Sequence, residues 1–218
     1  MSFGYIGDIS TKIKQQVKNQ GILSVEEAFD LQREGFLGGS FELIETQTIT
    51  SDTAQVDFTN IKGSKYDVHM LHAKNIKNAT DDQQFAFRLS VGGTFDTDND
   101  YQRSIFTLSA DAGTDDSRDS NINNIFFTLN QGNATDEKGN GYAYFYNLHN
   151  SSKYSFVNIH TTTINVNGVY KMNYGGGVYD QVASVDGIRV FMSNGSNIAS
   201  GVFSLYGYKE LLWVTLDF

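Results

Sequence analysis

From residue 41 onward apolar and polar side chains alternate with a period of two, the pattern of strands that bury one face. The clearest stretch is 186–209, DGIRVFMSNGSNIASGVFSLYGYK. Ile188, Val190 and Met192 share one face of its first run, and Ala199, Gly201, Phe203 and Leu205 share one face of its second. Asn194-Gly195 between them predicts a β-hairpin with a tight turn. Phe203 and Leu205 are expected in the core. Gly201 and Gly207 weaken a strand interior, so each is expected at a bulge or under a close neighbour. The hairpin is therefore expected at the centre of a sheet.

The same reading places strands at 41–49, 53–61, 66–75, 83–91, 101–110, 123–130, 141–149 and 154–164. It continues with 168–173, 187–193, 199–209 and 211–217. Asn140-Gly141 and Asn167-Gly168 predict two further hairpin turns, because Asn-Gly supplies the positive φ of a type I′ turn. Long polar loops are expected at 94–100, 111–121 and 131–140. A dozen short strands with no helical pattern between them indicate an antiparallel, all-β sandwich or barrel.

Only residues 1–35 look helical. Ile6, Ile9, Ile13 and Val17 form a narrow apolar stripe, with Asp8 or Ser10 able to cap its start. Ser24-Val25-Glu26-Glu27 is a capping box that opens a second helix, and Gly35 stands where that helix should end. Gly38-Gly39-Ser40 then separates a helical arm, 1–38, from a β domain, 39–218. The arm either packs on the β domain or docks onto another protein of an assembly.

Charge sharpens that division. The chain carries −9 overall, yet residues 1–23 hold Lys12, Lys14 and Lys18 against Asp8, leaving −11 for the rest. An acidic chain is a poor partner for nucleic acid, whose readers present a basic face. The absence of cysteine excludes disulfides and thiolate metal sites. Proline is also absent, so glycine, asparagine and aspartate must make the turns. There is no apolar run of membrane-spanning length, and the first residues lack the basic-then-apolar order of a signal peptide. The expectation is a protein made in a cytoplasm, with no membrane partner.

Little in the sequence selects a chemistry. His69 and His72 point to opposite faces of one strand, and His149 and His160 flank a connection, so zinc is not expected. Asp96-Thr97-Asp98-Asn99-Asp100 has the alternating oxygens that open a calcium loop. Tyr101 stands where the glycine belongs and Thr107 where the closing glutamate belongs, so Asp96, Asp98 and Asp100 read as a solvated acidic turn. Glu42, Glu45 and the aspartates offer no spacing that selects a glycosidase pair. A Gly-x-Ser-x-Gly elbow is missing. Neither an enzyme nor a cofactor is expected. Tyr142, Tyr144 and Tyr146 share one strand face, which suits sugar stacking, a partner surface or burial against a neighbouring strand.

Two stretches carry a family likeness. Gly187, Ile188, Arg189, Ile198, Ser200, Gly201, Leu205, Tyr206 and Gly207 reproduce a G-I-R-x-F…I-x-S-G-x-x-x-L-Y-G segment. This resembles the C-terminal segment of virion proteins of tailed marine phages. The opening, MSFGYIGDISTKIKQQVKNQGILSVEEAFDLQREGF, is similar to the N-terminus of cyanophage structural proteins. The resemblance implies a jelly-roll-like β-sandwich displayed on a particle as a tail, fibre, baseplate or capsid-surface component. It also implies that Ile9, Ile13, Val17 and Phe29 dock the arm onto other virion proteins. Homo-oligomers, trimers among them, are common in such proteins. The second expectation is a receptor- or glycan-binding module of a tail fibre that meets host surface glycan through its loops or through Tyr142, Tyr144 and Tyr146.

Overall fold

A computed structural model describes residues 41–111 and 113–208. The helical arm expected at 1–38, with Ile9, Ile13, Val17 and Phe29, and the strand expected at 211–217 lie outside the described residues.

The described chain is all-β and every strand pairing is antiparallel. Its thirteen strands are β1 (Phe41–Ile49), β2 (Gln55–Phe58), β3 (Val68–Asn78), β4 (Phe85–Val91), β5 (Thr94–Phe95), β6 (Tyr101–Ser109) and β7 (Gly113–Ile122). They continue as β8 (Ile125–Phe126), β9 (Gly139–Tyr146), β10 (Ser155–Ile164), β11 (Tyr170–Tyr179), β12 (Val185–Met192) and β13 (Ile198–Tyr208). An eight-stranded sheet runs β1-β13-β3-β9-β10-β11-β6-β7. A five-stranded sheet runs β2-β12-β4-β5, with β8 also on β4.

The two sheets enclose one apolar core. Phe87 of β4 packs on Phe145 of β9 at 5.1 Å between ring centroids, and on Phe127 at 4.9 Å. Phe85 of β4 meets Phe203 of β13 at 6.3 Å. Leu71, Leu89, Ile188, Val190, Met192 and Leu205 are fully buried in the same cluster. Where β10, β11 and β6 extend the larger sheet, the buried contacts become polar. Thr107 Oγ1 donates to Asn173 Oδ1 at 2.8 Å, Asn173 Nδ2 to Thr161 Oγ1 at 3.1 Å, and Thr161 Oγ1 to the Phe127 carbonyl at 3.1 Å. Linking these three side chains to one another and to a carbonyl removes the desolvation cost of leaving them alone.

Period two fits most strands but misplaces several turns. The 186–209 stretch is not a hairpin: β12 lies in the smaller sheet and β13 in the larger. Its turn, closed by Gly195 N donating to Met192 O at 2.9 Å, carries the chain from one sheet to the other. Only Gly195 has positive φ there, so the turn is not type I′. Each strand is nonetheless central, β12 between β2 and β4, β13 between β1 and β3. Phe203 and Leu205 are buried, as the alternation predicts. Gly201, at φ 148°, lies inside the β13 irregularity opposite Ile76, and a Cβ at Gly207 would collide with the Tyr66 ring.

Asn140-Gly141 is not a turn either. Gly141 pairs with both Thr161 and Ala73 inside β9, and a side chain there would meet the His160 carbonyl at 2.5 Å. Asn140 Oδ1 instead accepts from Asn75 N at 2.9 Å, where β3 is irregular and Asn75 takes φ 52°. Asn167-Gly168 does lie in the link from β10 to β11, but as a longer loop in which only Gly168 has positive φ. The loop expected at 111–121 is mostly strand β7, whose side chains are largely exposed and polar. The strand expected at 123–130 shortens to β8, while β11 outruns the predicted 168–173.

Candidate functional site

Antiparallel register places side chains of eight strands in rows across the outer face of the larger sheet. One row reads Phe41, Tyr208, Val68, Tyr146, Phe156, Val178 and Gln102. Another reads His72, Tyr142, His160, Tyr174, Phe106 and Asp116. Between them runs Tyr206, Met70, Tyr144, Asn158, Gly176, Ser104 and Arg118. The outer rows are ridges of rings, and the middle row, past Tyr144, is small.

Tyr142, Tyr144 and Tyr146 therefore do share this face, and they touch. Ring centroids are 5.6 Å apart for Tyr142–Tyr144 and 6.4 Å for Tyr144–Tyr146. Tyr142 also packs on His160 at 5.5 Å, and Phe106 on Tyr174 at 5.4 Å. The alternation exposed the three tyrosines, whereas Phe156, His160, Tyr174 and Phe106 join them only through pairing between strands.

Past Tyr144 the middle row drops into a trough of about 1080 Å³. Its floor is Asn158, Gly176 and Ser104, its walls include Phe156 and Tyr174, and Arg118 stands at its far end. Glycine is required at 176, because a Cβ would run into the Val157 carbonyl of β10. A strand with three consecutive glycines, 175–177, thus leaves backbone as floor. The walls stand about four residues apart along β11, roughly 13 Å. From β10 to β7 the trough spans three strand spacings, roughly 14 Å. Phe156 is 44% exposed and Tyr174 41%. The Arg118 guanidinium is paired, its Nη2 lying 3.1 Å from Asp116 Oδ2.

The other sequence candidates lie elsewhere. Asp96, Asp98 and Asp100 do converge, with one oxygen of each within 4.8 Å of the others. Asp96 already accepts from Tyr179 Oη at 2.7 Å through one oxygen and from Asp98 N at 2.8 Å through the other. Tyr101 and Thr107 are buried in β6, so the chain enters a strand where a calcium loop would continue around its ion. His69 is buried and His72 exposed, on opposite faces as expected. His149 contacts Ser184 Oγ at 3.2 Å, while His160 packs on Tyr142. Glu42 pairs with Lys65 and accepts from Tyr66 Oη at 2.8 Å.

No protein-family model matches the chain, and neither a curated protein nor a solved structure is significantly similar to it.

Proposed function

We propose that the chain is a non-enzymatic structural protein of a tailed-phage virion, held to the particle by residues 1–38 and displaying its β-sandwich through the large sheet's outer face. The sandwich is read as a jelly roll. Supporting that order, β1 pairs with β13, β2 with β12, β3 with β9 and β4 with β8, while the chain passes repeatedly between the sheets. The remaining strands widen this frame.

The observation that carries the reading is the uneven exposure of large apolar side chains. Phe41, Leu43, Leu108, Tyr142, Phe156, Tyr170 and Tyr174 all project from the outer face of the larger sheet. An apolar face of this extent marks a surface that meets partners. Copies of the chain and neighbouring virion proteins are the partners proposed, in keeping with the sequence resemblance. Ile9, Ile13, Val17 and Phe29 are the docking residues of the arm in this reading.

Complementing a phage that lacks its own copy tests the attachment. A chain lacking residues 1–38 should be recovered from the lysate but not from purified particles. Normal incorporation of that chain would overturn the anchoring role of the arm.

A further inference from the structure

We propose that the trough between the aromatic ridges binds a linear, uncharged oligosaccharide. The inference rests on reading the large sheet's outer face as the contact surface, and it assigns one part of that face a ligand of its own. A pyranose has an apolar C–H face and a rim of hydroxyls, so its receptors pair exposed rings with nearby hydrogen-bonding groups. The trough supplies both. Phe156 and Tyr174 stand on either side, Tyr144 lies opposite the floor residue Asn158 on β9, and the floor is free of side-chain bulk at Gly176.

Two floor side chains are uncommitted. Among the described residues, neither the Asn158 amide nor the Ser104 hydroxyl makes a hydrogen bond, and both are exposed. An amide donates twice and accepts twice, and a hydroxyl does both, which matches a hydroxyl rim better than it matches a single charge. Charge points the same way. Arg118 is spent on Asp116, and Arg103, whose backbone lines the trough, is turned onto Phe126 and Asp119. Among the described residues that line the trough, no unpaired cation remains for an acidic sugar or phosphate. An extended peptide fits less well, since the trough crosses the strands and offers none of the free sheet edge that strand addition needs. Its length, roughly three strand spacings, accommodates a few linked sugars.

The full chain should be screened on an array holding neutral and uronic-acid glycans, then titrated with maltohexaose, cellohexaose and laminarihexaose by calorimetry. Saturable binding to at least one neutral oligosaccharide is expected. Tyr174→Ala and Phe156→Ala should each weaken it about tenfold, the usual effect of truncating a central aromatic contact. Ser104→Trp fills the exposed floor and should abolish binding, with far-UV circular dichroism and the urea midpoint unchanged. Absence of any neutral-glycan binding at millimolar ligand would overturn the proposal. So would binding that survives Ser104→Trp with the fold intact, or binding confined to acidic glycans or to peptides. Particle incorporation separates this from the wider reading. Chain that enters particles yet binds no glycan sinks the trough proposal alone, whereas chain that binds glycan but never enters particles sinks the virion role alone.

Discussion

At Gly207 the L-Y-G ending of β13 meets the aromatic ring of Tyr66. Tyr66 is itself fixed, because its hydroxyl donates to Glu42 and its ring lies edge-on to His69 at 5.9 Å. A methyl at 207 therefore has to displace a ring that is held on two sides. Gly207→Ala should destabilise the domain by about 2 kcal/mol, the range for overpacking a filled site. An unchanged urea midpoint would show that Tyr66 yields freely. His69, beneath that ring, is buried, and its Nε2 donates to the Ile61 carbonyl at 2.8 Å. Burial holds its pKa below the ordinary histidine value, with the Ile61 bond opposing. Protonation then favours the unfolded chain, so this stability is intact above the unfolded pKa, about 6.5, and falls as pH drops through it. The urea midpoint should decline between about pH 7.5 and 5, and His69→Gln should flatten that slope. A variant with the same slope would place the titrating group elsewhere.

Among the elements, short β2 is tied to β12 by a charged side-chain fork beside its backbone pairing. Arg189 of β12 faces Asp57 of β2 and donates from Nε at 2.7 Å and Nη2 at 2.8 Å, while its guanidinium lies 4.1 Å from the Phe95 ring centroid. Both side chains are largely sheltered, which spares the fork from solvent screening. Lysine can keep the charge but neither the paired donors nor the stacked plane. Arg189→Lys should cost about 1 kcal/mol and speed amide exchange in β2 ahead of β3, read by hydrogen-exchange NMR. Equal exchange in both strands would mean that β2 is held by its backbone alone. The same elements explain what the sequence discloses. Strands with one buried face, such as β10 and β13, announce themselves by alternation. Strand β7 does not, because among the described residues it borders only β6 and it shows polar side chains almost throughout. Asn-Gly pairs are ambiguous, since a glycine that ends a hairpin at 195 is spelled like one that admits a neighbouring carbonyl at 141. Alternation also cannot tell whether the next strand joins the same sheet, which is why 186–209 resembles a hairpin. The trough was beyond reach for a related reason: Asn158, Gly176 and Ser104 are adjacent only once β10, β11 and β6 are in register.

For the whole molecule, the two ends of the larger sheet are protected unequally. Strand β7 closes one edge with Asp115, Asp116, Arg118 and Asp119, charges that discourage a further strand. Strand β1 closes the other with nine residues, and among the described residues it pairs only with β13. Leu43 is 56% exposed and Phe41 packs on Tyr208 at 5.4 Å, so this end of the sheet carries an apolar flank. Self-association is the simplest way to cover that flank, and it leaves the trough, on the β10–β11–β6 side, open to its own ligand. Leu43→Glu adds a charge where the neighbouring copy would lie, and the partly exposed position should tolerate it in the folded monomer. Sedimentation velocity should therefore give an oligomer for the full chain and a monomer for Leu43→Glu, with the same circular dichroism. If the variant sediments as the parent does, copies do not meet at β1, and the apolar flank must serve a different protein.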